Sequence, residues 1–478
     1  MAEQKAFAAV DLGASSGRVI LGKISNEKIE YEEVHRFGNG PVARGDGLYW
    51  DISSLKANVI DGLSKLADED IQSIGVDSWA VDYGLISSSG ELIRDPHHYR
   101  DDRNLRGVAA IDAIISPAEL YSKNGLQFLP FNSLYQFKVD QLEQSALIDK
   151  AEKALLVPDL FNFWLCGVKR TERTNASTTG LMNPVTRQWD QQLISQLGIN
   201  GKLLADVVSE GEVLGQITQQ VCQQTKLAAT TKVVSVGSHD TASAYVAVPS
   251  TKPNSLFVSS GTWSLLGVEL SEPILTPEAQ ATNFTNEGGV DGRVRFLKNV
   301  TGLWLVQEST REWRQSGKLY QIEALVAAAR DLPQRSIIDV NDERFVAPGD
   351  MPFRIQDYCR ETNQWVPQTE AEIIRVVFDS LAAKYVEVIA ELESLTKTKL
   401  ERIHIVGGGS QNELLNQLIA DATQLEVFAG PVEATAIGNL VVQARAAGVL
   451  SGTLEDIREL IAKNFPIKHF TPNSVGGN

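Results

Sequence analysis

"AFAAVDLGASSGRVILGKIS", Ala6 to Ser25, reads as strand, tight turn, strand. An apolar run closes at Gly13, "ASSGR" supplies the turn, and "VILGKIS" resumes the apolar pattern. The plan returns in "SLFVSSGTWSLLGVEL", Ser255 to Leu270, where an apolar strand meets a Ser/Gly/Thr turn and a second apolar strand. Two hairpins of one design, one near the start of each half, indicate a duplicated α/β unit. The Pro-interrupted connector "AVPSTKPNS", Ala247 to Ser255, falls between them. Helices fill in around the strands. The clearest starts at Thr369, where Glu372 completes a capping box before Ile373, Ile374, Val377, Leu381, Tyr385, Val388 and Leu392 repeat at helical spacing. A strand "RIHIV" follows at Arg402 and a helix from about Asn412; strands alternating with helices are α/β layering. The tail "TPNSVGGN" reads as frayed.

The chain has 478 residues, more than one hydrophobic core usually serves. With 43% hydrophobic and 22% charged residues it has the composition of a folded, soluble protein. A formal charge of −16 argues against nucleic-acid or anionic-membrane partners, which need concentrated Lys and Arg. Any phosphate must then be held by local donors or a metal ion. Cys166, Cys222 and Cys359 lie far apart without metal-ligand spacing and read as free thiols of a reducing compartment. The N-terminus has no signal-peptide pattern and no stretch reaches membrane-spanning length, so the expected location is cytoplasmic.

"VVSVGSHDTASAYVAVP", Val233 to Pro249, sets His239 and Asp240 at the end of an apolar strand, followed by small residues. Titratable groups there are costly to desolvate and require compensation. Asp240 suits a general base for an attacking hydroxyl near a phosphate; the alternative is a helix cap. "DLGASSGR" resembles a phosphate-binding turn, with Asp11 a hard oxygen ligand for Mg2+; it is neither GxxxxGK[ST] nor GxGxxG. Thr262 in "SSGTW" is placed to donate to a phosphate in a second such turn. An ordinary polar hairpin is the alternative for both. "IVGGGSQN", Ile405 to Asn412, sets three glycines between strand and helix, where a flat ligand such as adenine can lie on the backbone. "VDSWAVDYG" places Trp79 beside Asp77 and Asp82, an aromatic face with acceptors for a polyhydroxylated substrate; the plain alternative is a buried Trp and two surface acids. His97 and His98 cannot share a strand face, which leaves solvated loop histidines rather than a metal pair.

These residues together resemble the FGGY family of sugar kinases, within the actin/hexokinase/Hsp70-like ATPase superfamily. The resemblance rests on "VDLGASSGRVIL", "HRFGNG", "GLQFLPFNSLYQ", "TNASTTGLMN", "SHDTASA", "SSGTWSLLG", "NEGG", "LKNVTGLWLVQ" and "HIVGGGSQNELLNQL", in order from about residue 9 to 440. It implies an α/β fold of two RNase H-like domains with a central cleft. Residues 1–246 would carry the sugar site, the first phosphate loop and the catalytic Asp, residues 247–455 the nucleotide site, and 456–478 a C-terminal segment. Ala14, Ser15, Ser16, Gly17 and Arg18 would line the first phosphate loop. Thr262, Asn299, Gln307 and Gly408 would serve the nucleotide, with Asn299 on either its side of the cleft or the sugar's. Asp240 would accept the proton, with Trp79, Ala80, Asp82, His239 and Thr241 around the sugar. The implied substrates are ATP with Mg2+ and a 6-deoxyketohexose, L-rhamnulose. The rivals are L-fuculose or a pentulose as acceptor, or an actin/Hsp70-like ATPase with no small-molecule acceptor. Ala80 stands where this pattern has Gly, and "HHYRDDR" also departs from it.

Overall fold

The computed structural model describes residues 4–45 and 47–473; the tail from Ser474 onward lies outside them. The chain forms two compact units, 1–247 with 269–296 and 434–464, and 248–268 with 297–433 and 465–478. The sequence reading cuts the chain near 247 and again at 456. The units share the first of these positions and then interleave. The two returns carry no Pro/Gly punctuation because they are defined by packing: the helix Ala434–Ala446 lies along strands Lys5–Leu12 and Ile71–Ser78 of the first unit.

The first unit is built on a six-stranded sheet in the order Val213–Gln216, Lys232–Val234, Ile71–Ser78, Lys5–Leu12, Ser16–Ile24, Ile29–Gly38. Lys5–Leu12 pairs antiparallel with Ser16–Ile24, Asp11 opposite Arg18, and parallel with Ile71–Ser78, Asp11 opposite Asp77. Lys232–Val234 adds a third parallel strand. The apolar runs that mark these strands are buried, among them Phe7, Ala8, Ala9, Val10, Ile74, Val76 and Val233.

The second unit repeats the plan. Of the seven strands of its sheet, six contribute to this unit, in the order Val294–Thr301 (from Leu297), Trp263–Leu270, Ser255–Ser260, Arg402–Val406, Glu426–Ala429, Lys468–Phe470. The hairpin is again antiparallel, and Ser255–Ser260, Arg402–Val406 and Glu426–Ala429 are again parallel. The duplication read from two similar hairpins is therefore a duplication of whole sheets. The capping box at Thr369 and Glu372 opens a helix Glu370–Thr396 whose apolar stripe is buried. Lys5–Leu12 and Ile71–Ser78 in the first unit, and Ser255–Ser260 and Arg402–Val406 in the second, end on or next to residues singled out from the sequence, as expected where α/β sheets bind ligands at strand carboxyl ends.

Candidate active site

Asp240 is the first residue of the helix Asp240–Val246; the N-cap is His239, whose side chain makes no capping bond. The cap reading of Asp240 is thus not realised. Its Oδ1 accepts from Thr241 N (2.5 Å) and Thr241 Oγ1 (3.1 Å), and His239 Nε2 lies 3.3 Å from the same oxygen. Oδ2 receives no hydrogen bond among the described residues, and the side chain is 33% exposed. One oxygen is held and the other is open, the arrangement a positioned base requires.

The segment before Asp240 is clamped from below. Buried Glu172 accepts from Ser238 N (3.0 Å), Ser238 Oγ (2.8 Å), Thr174 N (2.8 Å) and Asn175 N (3.2 Å). Thr174 Oγ1 takes the backbone N–H of His239 at 3.2 Å, and Ser78 forms a parallel bridge to His239. With Thr174 Oγ1 donating as well (2.5 Å), a carboxylate fed by five donors is a stiff anchor. It explains why "TNASTTG" sits near the site without facing solvent.

Asp11 is 3% exposed and ion-paired with Arg18 at 2.5 Å. Its register partner Asp77 is fully buried; one oxygen accepts from Asn439 Nδ2 at 2.6 Å. Ser73 donates to Gln443 (2.7 Å) and Gln443 to Asn439 (2.6 Å), a buried relay from the helix Ala434–Ala446 to Asp77. Burial holds the Asp77 carboxyl well above its ordinary range, and the charges of Asp11 and Asp240 add to the shift against the Asn439 hydrogen bond.

The plain reading of "VDSWAVDYG" holds for Trp79, which is buried, and fails for the acids, since Asp77 and Asp82 are buried too. Asp82 accepts from Trp50 Nε1 (2.6 Å), Gln136 Nε2 (2.8 Å), Trp79 Nε1 (3.1 Å) and Tyr99 N (3.1 Å). The Trp50 and Trp79 rings lie 4.0 Å apart. Between Ala80 and Asp82, Val81 sits at φ 68°, a left-handed conformation rare for a β-branched residue. Its carbonyl is pinned by Ser133 Oγ at 2.5 Å. Such strain is kept where surrounding contacts over-determine it.

The expectation of solvated histidines is corrected: His97 and His98 are 6% and 2% exposed. His98 packs against Trp50 (ring centroids 4.2 Å) and stacks on Tyr99 (4.5 Å), and burial lowers its pKa to about 3; His97 lies on Tyr49 at 4.3 Å. Aromatic neighbours from distant parts of the chain turn these polar residues inward.

Burial pushes Asp82 up to about 7 against its four N–H donors. The folded pKa lies above the unfolded value, so the native state keeps a proton that the unfolded chain releases. The associated stability is complete below about pH 4 and is lost as pH rises to about 7, at no more than about 1.4 kcal/mol per pH unit. Urea midpoints of wild type and Asp82→Asn across this range provide the check. The wild-type advantage should shrink with rising pH, and a constant gap would show that Asp82 titrates as an ordinary carboxyl.

The first hairpin turn closes with Gly13 N bonded to Ser16 O (2.9 Å) and is braced by Asn39, which donates to Gly13 O (2.8 Å). None of residues 13–17 has positive φ. Gly17 is required for packing, because a Cβ would lie 2.2 Å from the Phe37 ring.

In the second unit, the hairpin turn at Gly261 and Thr262 is held by N–H groups of Gly302, Leu303 and Trp304. Thr262 Oγ1 lies 3.1 Å from Gln307 Oε1, at the start of the helix Trp304–Gln315. Asn299 stands on the strand Val294–Thr301. The glycine turn divides by role. Gly407 adopts φ 84°, and a Cβ on Gly409 would meet Ser260 Oγ at 1.9 Å, so both are explained by the fold. Gly408 has no atom within 4 Å of where a Cβ would be, leaving open space above its backbone.

The signals that reach this site from sequence are small-residue turns and acids at strand ends. Glu172, Trp50, Gln136 and Asn439 gave no such signal, since each acts on a partner many residues away.

The N-terminal domain model of the FGGY family of carbohydrate kinases matches residues 7–247, and the C-terminal domain model matches 256–447. A rhamnulokinase of Bacteroides thetaiotaomicron is 41% identical over 471 residues, covering 98% of this chain and 96% of the relative. A rhamnulokinase of Pectobacterium atrosepticum is 42% identical over 475 residues, 98% and 94% respectively. Among solved structures, a ligand-bound xylulose kinase from Lactobacillus acidophilus superimposes with a TM-score of 0.79 at 17% identity, covering 98% of this chain and 94% of that one. A Plasmodium falciparum glycerol kinase with ADP gives 0.76 at 14%, covering 99% and 95%. These two show the fold.

Proposed function

The chain belongs to the FGGY family of carbohydrate kinases, and from that premise we propose that it transfers the γ-phosphoryl group of ATP to O1 of L-rhamnulose. The products are L-rhamnulose 1-phosphate and ADP, and the step belongs to L-rhamnose degradation. The observation that carries the reading is Asp240, with one carboxylate oxygen held by Thr241 and the other open at the start of the helix Asp240–Val246. In the proposed reaction Oδ2 takes the proton of the attacking hydroxyl. Phosphoryl transfer asks little else of the protein than positioning and charge neutralisation. The turn Ala14–Arg18 and Thr262, with Gln307, would engage the phosphates, Gly408 the adenine, and Asn299 the nucleotide or sugar side. Trp79, Ala80, Asp82, His239 and Thr241 would shape the sugar pocket. Asp82 does so mainly by holding Trp50, Trp79 and Gln136 in place, since its oxygens already accept four bonds. Free Cys166, Cys222 and Cys359 support a reducing cytoplasm, and no helix among the described residues is long and apolar enough to cross a membrane.

A panel of ketoses in a coupled ADP-release assay tests the reading. L-rhamnulose should give the highest kcat/KM; L-fuculose or a pentulose in first place would overturn the acceptor. Sugar-independent ATP turnover would favour an ATPase without an acceptor.

Mg2+ would neutralise charge on the transferring phosphates. Among the described residues no three His, Cys, Asp or Glu side chains gather to cage a metal. A single carboxylate is enough for Mg2+, which keeps waters and substrate phosphates as its other ligands. Asp11 fits that role, and its pairing with Arg18 means that the metal must compete with a guanidinium. Asp11→Ala should therefore weaken apparent Mg2+·ATP affinity about tenfold, the worth of one interaction with a charged group, and excess Mg2+ should recover part of the loss. Unchanged turnover at limiting Mg2+ would remove Asp11 from the metal site.

A further inference from the structure

We infer that Arg295 is a positioning residue that fixes the tautomer of His239, so that the imidazole presents an N–H, and not a lone pair, to Asp240. The inference rests on the reading of Asp240 as the proton acceptor. It starts from three contacts around one ring. Arg295 Nη2 lies 2.9 Å from His239 Nδ1, Glu287 Oε2 lies 3.3 Å from the same nitrogen, and His239 Nε2 lies 3.3 Å from Asp240 Oδ1. Arg295 is fully buried, His239 is 6% exposed and Glu287 6%. Arg295 Nε donates to Gly288 O at 2.8 Å, and its Nη2 also pairs with Glu287 at 3.1 Å. The guanidinium is thus locked in place by "NEGG", a motif for which the phosphoryl-transfer reading has no use.

A guanidinium only donates and stays charged at any working pH. At 2.9 Å, Nδ1 must accept, so the neutral ring carries its proton on Nε2. Glu287 alone would favour a proton on Nδ1. The longer distance, and its own pairing with Arg295, make it the weaker influence. With Nε2 protonated, Thr241 N and Thr241 Oγ1 donate to Asp240 Oδ1 and the Nε2–H group of His239 faces the same oxygen at 3.3 Å. With the opposite tautomer, a lone pair would face the carboxylate at 3.3 Å and turn it away from its held orientation. The orienting group behind a catalytic dyad does this kind of work: it selects a tautomer and takes no proton itself. His239 is thereby joined to the strand Thr285–Gly288 and to Arg295, which the sequence places far from "SHDTAS".

The direct test is nitrogen NMR of the intact, 15N-histidine-labelled protein, with the His239 signals assigned by their absence from His239→Gln. The expected result at pH 8 is a protonated Nε2 and an unprotonated Nδ1. A proton on Nδ1 in the wild type overturns the inference, whatever the enzyme's activity, because this measurement needs no turnover. Arg295→Met should mix the tautomers and lower kcat at least about tenfold, with sugar and ATP KM within about threefold, the pattern of a lost transition-state interaction. Arg295→Lys, still donor-only, should restore the wild-type tautomer and part of kcat. Arg295→Met that keeps the wild-type tautomer overturns the inference, and so does normal kcat with mixed tautomers. Should Arg295→Met not fold, the wild-type spectrum and Arg295→Lys decide alone. Loss of activity in Asp240→Asn tests the underlying reading separately.

Discussion

Asp240→Asn lowers kcat by about 10²–10⁴, the range that a positioned general base contributes, while binding of ATP and sugar changes only a few-fold. The asymmetry of the carboxylate is the reason. Oδ1 accepts from Thr241 N and Thr241 Oγ1, and an amide oxygen can accept the same two bonds. The amide nitrogen then stands in the position of Oδ2, where it can donate to the sugar hydroxyl but cannot take its proton. Shape and orientation survive, and only the basic oxygen is lost. The neutral amide also removes a charge that presses on buried Asp77, so stability should not fall. Steady-state kinetics with calorimetric titration of each substrate separates the two effects. A kcat within a few-fold of wild type would leave Asp240 a structural residue at the start of a helix, and the assignment of the acceptor oxygen would fall with it.

Why Asp240 was legible from sequence and its supports were not is a matter of range. A carboxylate at the end of an apolar strand is anomalous by local rules alone, and so are small-residue turns between two apolar strands. The two hairpins, the capped helix at Thr369 and the glycine turn were all read from such local rules, and all lie within a few residues of the feature that reveals them. Asp82 shows the limit. Its donors come from Trp50, Trp79, Tyr99 and Gln136, and nothing in "VDSWAVDYG" foretells that an acid beside a Trp will be sealed in. His97 and His98 depart from the sequence expectation for the same cause: the rings that cover them belong to Tyr49 and Trp50. By sequence the three glycines form one ligand-binding surface. Packing against Ser260 separates them, and only Gly408 is left facing open space. The interleaved units are the same lesson at larger scale, since a return of the chain to an earlier sheet is written in packing and not in punctuation.

Gly438→Ala should be among the most damaging single-methyl changes in the protein, although Gly438 carries no chemistry and lies far along the chain from Asp240. It sits in the helix Ala434–Ala446, where alanine is intrinsically better than glycine by about 0.5–1 kcal/mol. That gain is overwhelmed. A Cβ at this position would lie 1.8 Å from Ser243 O, 2.6 Å from its carbonyl carbon and 3.1 Å from its Cα. The obstacle is backbone, not the movable end of a side chain, so the helices must separate by more than an ångström. Both carry the site. Asp240–Val246 begins with the proposed proton acceptor, and Ala434–Ala446 delivers Asn439 to Asp77 and Gln443 to Ser73 and Ala8. Overpacking of a closely fitted contact costs about 1–3 kcal/mol, and an ångström of misplacement at a reacting group costs about 10² in rate. Gly438→Ala should therefore lower Tm and also reduce kcat by about 10² in the fraction that remains folded, a loss that added sugar or ATP does not recover. The two readouts discriminate. A lower Tm with normal kcat would mean that the helix Ala434–Ala446 yields and leaves Asp240 in place, and an unchanged Tm would show that the backbones are not in contact at Gly438.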